Sequence, residues 1–175
     1  MVNSVNRTYE SNSPEETFRV GRMLAEDAQA GEVYALVGDL GVGKTVFTKG
    51  FAEGLGIDES VNSPTFTILQ IYEEGRLPLY HFDVYRIEEP EEMEEVGFDE
   101  YIDGDGVCLI EWAGRIEELL PEDVILVHIE KDLDKGYIST DTIEEVLGGE
   151  TYQRYKQTID SENALKEKQK ALQEE

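Results

Sequence analysis

Cysteine, histidine, tryptophan and basic residues are all scarce in this chain. One cysteine in 175 residues, Cys108, excludes an intramolecular disulfide. It sits in Val107-Cys108-Leu109-Ile110, which reads as a strand holding an inert, buried thiol. Lys and Arg number 15 against 40 Asp and Glu, a formal charge of -25. Such a surface repels nucleic acid and sets aside its direct, high-affinity binding. The surplus fits a basic partner face, a salt-rich cytoplasm or plain solubility, and names none of them. No apolar run reaches about 18 residues, and the N-terminus lacks the basic, apolar and small-residue layout of a signal peptide. The expectation is a cytoplasmic protein with no membrane segment. The two histidines, His81 and His128, fall in strand-like stretches where a histidine is commonly structural, and neither is assigned to catalysis.

What is present is one strong motif. Gly38-Asp39-Leu40-Gly41-Val42-Gly43-Lys44-Thr45 satisfies the phosphate-binding pattern G-x-x-x-x-G-K-[ST]. The apolar run Val33-Tyr34-Ala35-Leu36-Val37 leads into it with strand composition. From Thr45 to Leu55, Val46 or Phe47, Phe51 and Leu55 recur at helical spacing until Gly56 stops the run. The order strand, loop, helix gives the pattern its meaning. Glycines let successive backbone N–H groups turn inward around phosphate oxygens, at a helix N-terminus whose dipole favours negative charge. Lys44 would reach the β- and γ-phosphates, and the Thr45 hydroxyl would complete a magnesium shell.

The remaining chain reads as alternating strands and helices. Ser13-Pro14-Glu15-Glu16 has the form of a helix start, with Ser13 as N-cap, Pro14 in the first turn and Glu16 as capping-box acid. That helix runs to about Gln29 and follows a short strand from Val5 to Tyr9. Ser63-Pro64-Thr65-Phe66 breaks the chain before a strand from Thr67 to Tyr72. A hairpin turn near Glu73-Glu74-Gly75-Arg76 precedes a second strand from Leu79 to Asp83. A helix over Glu88 to Val96 and strands over Gly106 to Trp112 and Asp123 to Ile129 complete the series. The prediction is an α/β fold: a single P-loop NTPase-like domain over residues 1–149, with a mixed, mostly parallel central sheet flanked by helices. Residues 150–175 form a polar tail, helical or partly disordered.

A phosphate loop needs a further carboxylate at a strand end, and Asp83 and Glu111 both qualify. Either could support the metal while the other orients a water; spacing leaves the roles open, as it does the plainer reading of solvent-facing acids. Thr65 lies where a nucleotide switch segment passes near the γ-phosphate, although a proline turn also explains it. Arg86 and Arg115 are candidate transition-state cations. Two other readings compete with an ATPase. In a small-metabolite kinase Asp83 would deprotonate an acceptor hydroxyl, but the Arg-rich lid such enzymes use is missing. A nucleotide-gated binding module needs no essential hydrolysis. The absence of Asn-Lys-x-Asp argues against GTP.

Gly38 to Thr45, Ser63-Pro64-Thr65-Phe66-Thr67, His81-Phe82-Asp83-Val84-Tyr85-Arg86 and Ile110-Glu111-Trp112, in that order and spacing, resemble the TsaE (YjeE) family of bacterial ATPases over roughly residues 5–150. The resemblance implies a magnesium-dependent ATPase of tRNA N6-threonylcarbamoyladenosine synthesis at position 37, weakly active alone. It would act with the TsaB–TsaD transferase complex and reset it between turnovers; that direct tRNA binding is not expected rests on the acidic charge. It further implies ATP and Mg²⁺ as ligands, and Lys44, Asp83 and Glu111 as the catalytic set. Nucleotide binding falls to Asp39, Leu40, Gly41, Val42, Gly43, Lys44, Thr45, Val46 and Trp112. The metal falls to Thr45, Thr65, Asp83 and Glu111. Two positions depart from the family pattern: Val46 stands where a hydroxyl residue is frequent, and Ala113-Gly114 replaces the commoner proline-acid continuation after the tryptophan.

Overall fold

The computed structural model describes residues 6–11, 13–38, 44–62, 64, 66–132 and 137–143, together with 168, 171 and 172. The boundary expected at 149/150 lies outside them. Of the expected tail, Lys168, Ala171 and Leu172 are helical and exposed.

β1 (Asn6–Ser11) leads into α1 (Pro14–Glu26). Ser13 is extended and its hydroxyl accepts the Glu16 N–H at 3.2 Å, so one orphan donor of the first turn is satisfied by the expected N-cap. The helix ends at Glu26, three residues before the expected end. The Arg76 guanidinium explains this: it donates to the carbonyls of Ala25 at 2.9 Å, Glu26 at 3.4 Å and Ala28 at 3.0 Å. Those carbonyls are capped from a distant segment, an interaction no local pattern carries.

β2 (Val33–Gly38), buried throughout, precedes α2 (Lys44–Gly54). β3 (Leu69–Tyr72) and β4 (Leu79–Asp83) form the expected hairpin. β3 starts two residues late because Ile68 is left-handed, with φ 68°, and its N–H is held by the Pro64 carbonyl at 2.7 Å. The helix expected over Glu88 to Val96 is a 3₁₀ turn at Pro90–Glu92 followed by α3 (Met93–Val96). Gly97, with φ 78°, then redirects the chain into α4 (Phe98–Ile102), which the pattern had not suggested. β5 (Val107–Glu111) follows, then a 3₁₀ segment over Ala113–Leu119, β6 (Ile125–Asp132) and β7 (Tyr137–Ile143). β7 is a second element not anticipated, since Ser139, Thr140, Asp141 and Thr142 lack an apolar signal and its pairing with β6 and β1 defines it.

Among the described residues the sheet has seven strands in the order β1-β7-β6-β2-β5-β4-β3. β6, β2, β5 and β4 are parallel, and the flanking strands are antiparallel. The mixed, mostly parallel sheet is therefore as expected. Alternation along the central strands separates two cores. Tyr34, Leu36, Leu109, Val127 and Ile129 face α1 and α2, whereas Val33, Ala35, Val37, Ile110 and Leu126 face α3, α4 and the 3₁₀ segment. α1 and α2 approach so closely that a Cβ on Gly50 would lie 2.0 Å from the Phe18 carbonyl oxygen. α2 packs on the sheet through Phe47, Phe51 and Ala52, with its N-terminus at the strand edge that Gly38 and Glu111 end.

Candidate functional site

Parallel strands all end at the same edge, so residues far apart in sequence meet there. Gly38 ends β2, Asp83 ends β4 and Glu111 ends β5. Glu111 pairs in register with Asp83 on one side and Leu36 on the other. Lys44 opens α2 above this edge. Asp39, Leu40, Gly41, Val42 and Gly43, and also Ser63 and Thr65, lie outside the described residues.

Lys44 is unusual for a lysine in being only 8% exposed. Its Nζ donates to the Gly38 carbonyl at 2.8 Å and stands 4.7 Å from the centre of the Trp112 ring. A charge held by a carbonyl and an aromatic face, at a helix N-terminus, is placed to meet anionic oxygens rather than to solvate freely. Trp112 is itself left-handed, at φ 63°, ψ 31°, a conformation that costs a non-glycine residue about 1–2 kcal/mol. Burial and an edge-on contact with Tyr85, ring centres 4.9 Å apart, hold it there. The left-handed turn takes the chain away from β5 immediately after Glu111.

Both carboxylates are nearly buried. Asp83 Oδ1 accepts the Tyr85 N–H at 3.0 Å, while its own N–H is bonded to the Ile68 carbonyl at 2.8 Å. Glu111 Oε2 meets His81 Nε2 at 2.9 Å, with both side chains buried. His81, Glu111, Thr45, Thr48, Val61 and Asn62 line one small cavity under the start of α2. Thr45 is exposed and Val46 half-buried. An exposed threonine hydroxyl and buried carboxylates at one strand edge are hard oxygen donors that suit magnesium, which takes few protein ligands and keeps phosphate oxygens and waters.

The structure thus brings together Lys44, Thr45, Asp83, Glu111 and Trp112. Of the candidate arginines, Arg115 Nε donates to the Ile87 carbonyl at 3.2 Å. Arg86 is exposed and stacks 4.4 Å from the ring centre of Phe66, which is 79% exposed. Sequence reasoning set His81 aside. The available signal was its position two residues before Asp83, which puts both on one face of β4.

Comparisons with known proteins show which family this chain and its fold resemble. A family model described as "Threonylcarbamoyl adenosine biosynthesis protein TsaE" matches residues 11–138. The Bacillus subtilis protein named tRNA threonylcarbamoyladenosine biosynthesis protein TsaE is 56% identical over 119 residues, covering 68% of this chain and 74% of that protein. Its namesake from Treponema pallidum is 44% identical over 119 residues, covering 68% and 87%. The crystal structure of Bacillus subtilis YdiB superposes with a TM-score of 0.71 at 39% identity, covering 93% of this chain and 99% of that one.

Proposed function

Because the chain belongs to the TsaE family of threonylcarbamoyladenosine biosynthesis proteins, we propose that it is a magnesium-dependent ATPase serving that tRNA modification at position 37. Its turnover acts on a TsaB–TsaD transferase complex. The carrying observation is the near-buried Lys44 at the start of α2, over a strand edge where Asp83 and Glu111 stand in register. In this reading residues 39–46 wrap the phosphates through backbone N–H groups, and Lys44 neutralises the β- and γ-phosphate charge. Thr45, Thr65 and Asp83 would hold magnesium, which when bound neutralises charge on the phosphate oxygens.

Asp83 and Glu111 divide the work. The Asp83 carboxylate is fixed by its own chain through Tyr85, which suits a rigid support for the ion or its waters. Glu111 faces the cavity under Thr45, on the side reached by Val61 and Asn62, and orients the attacking water. Lys44 is the one cation assigned to the phosphates, so the isolated chain hydrolyses slowly and the assembled complex faster. The acidic surface would meet the protein complex and not the tRNA. The site lies within a sheet-based domain and, among the described residues, no helix is long and apolar enough to cross a membrane; a cytoplasmic location follows from the proposed role.

The test is ATP hydrolysis by the purified chain, alone and with TsaB and TsaD, with Lys44→Ala as control. The expected result is stimulation by the partners and loss of at least about 100-fold in the mutant. ATP-dependent complex formation without any hydrolysis would replace the ATPase with the nucleotide-gated module.

A further inference from the structure

His81 is 1% exposed and lies on β4 beneath α2. Its Nε2 is 2.9 Å from Glu111 Oε2, and among the described residues its Nδ1 has no hydrogen-bond partner. Here one nitrogen is committed to the acid at the phosphate edge. His81 and Glu111 both line the small cavity that Thr45, Thr48 and Asn62 also border. Among the described residues Glu111 makes no other side-chain hydrogen bond, so His81 is the contact that selects its carboxylate rotamer.

We propose that His81 is a positioning residue for Glu111. With Glu111 ionised, the imidazole carries its proton on Nε2 and donates it to Oε2, leaving Oε1 as the oxygen that accepts from the attacking water. Nδ1 is then a lone-pair acceptor. The arrangement fits the strand geometry: His81 and Asp83 share one face of β4, so the histidine reaches diagonally to the residue that Asp83 pairs with in register. His81 touches neither ATP nor metal in this scheme, and acts through the acid.

The inference rests on the reading of Glu111 as the water-orienting acid, so the experiment includes Glu111→Gln. Single-turnover hydrolysis and ATP affinity, the latter followed by Trp112 fluorescence, are compared for wild type, His81→Gln, His81→Asn and His81→Leu, with a thermal midpoint for each. Glutamine extends an amide nitrogen to the place of Nε2, whereas asparagine reaches only that of Nδ1. The expected result is a rate loss of about 10- to 100-fold for Asn and Leu at unchanged affinity, with Gln restored to within a few-fold of wild type. Equal rates for Gln and Asn, or losses that follow the thermal midpoint, would overturn the proposal and leave the Glu111 reading standing. A wild-type rate for Glu111→Gln would overturn that reading and the proposal with it. Should His81→Leu not fold, the Gln and Asn pair still decides.

Discussion

The ends of β4 and β5 carry acids in direct register, yet the two are held in opposite ways. Asp83 is fastened by the backbone N–H of Tyr85, two residues further along its own chain. Glu111 is fastened by a side chain from the neighbouring strand, His81, 30 residues away. A carboxylate bound to its own turn is set as soon as the turn forms. One bound across a parallel ladder is set only when the sheet and the helix above it are complete. The first suits a fixed support for an ion, the second an acid whose orientation depends on the assembled site.

Exchanging each acid for its amide tests that contrast most strongly. Glu111→Gln is expected to slow hydrolysis by about 100-fold with ATP affinity nearly unchanged. Asp83→Asn is expected to weaken Mg–ATP binding by about 10-fold or more. Equilibrium binding and single-turnover rates measured on both variants would erase the distinction if both lost affinity alike.

A smaller effect is expected where the two strand ends touch. Tyr85, beyond β4, packs edge-on against Trp112, beyond β5. Tyr85→Leu removes an aromatic pair worth about 0.5–1.5 kcal/mol and with it part of the support for the left-handed Trp112. The expected outcome is a comparable loss of stability by denaturant titration and a changed Trp112 emission. An unaltered emission spectrum would show that the β5 end holds its shape without the β4 end.

The smallest effect sharpens the comparison from below. Cys108, on β5 three positions before Glu111, is buried in apolar surroundings, and burial pushes its thiol up to about 12. Folding therefore favours the protonated form. Between an unfolded value of roughly 8.5 and about 12 the native state binds more protons than the unfolded chain, so stability falls as pH rises through that window. Burial also raises the hydroxyls of Tyr72 and Tyr80, which act in the same direction. Thermal midpoints above neutral pH should decline, and decline less steeply in Cys108→Ala. Thiol reagents should react with Cys108 only at the rate of unfolding; rapid modification of the native protein would contradict its placement.

Legibility followed the range of the interaction involved. The helix start at Ser13, the strand Val33–Gly38 with the helix after it, and the Leu79–Asp83 strand rest on neighbours within one or two turns of chain, and each is found where expected. The end of α1 departs from expectation because its carbonyls are capped by Arg76, the Glu88–Val96 helix is instead a 3₁₀ turn at Pro90–Glu92 followed by a short helix that Gly97 ends, and β7 is defined by its pairing partners. At the site, Lys44, Thr45, Asp83 and Glu111 were legible as residue types at strand ends and in a glycine-rich motif, and His81 was not. A histidine on a strand has no periodic signature that separates packing from positioning; its partner does.

The sequence by itself determined the phosphate-loop motif, the α/β alternation and the identity of the two acids, since each depends on local spacing and side-chain chemistry. Only the tertiary structure decided that β2 lies between β5 and β6, that Asp83 and Glu111 meet in register, that Lys44 rests on Trp112, and that His81 reaches Glu111. The physical reason is that parallel strands have no short connections to announce their partners. Which strand ends meet is settled by how two faces of one sheet bury their side chains against helices drawn from distant parts of the chain.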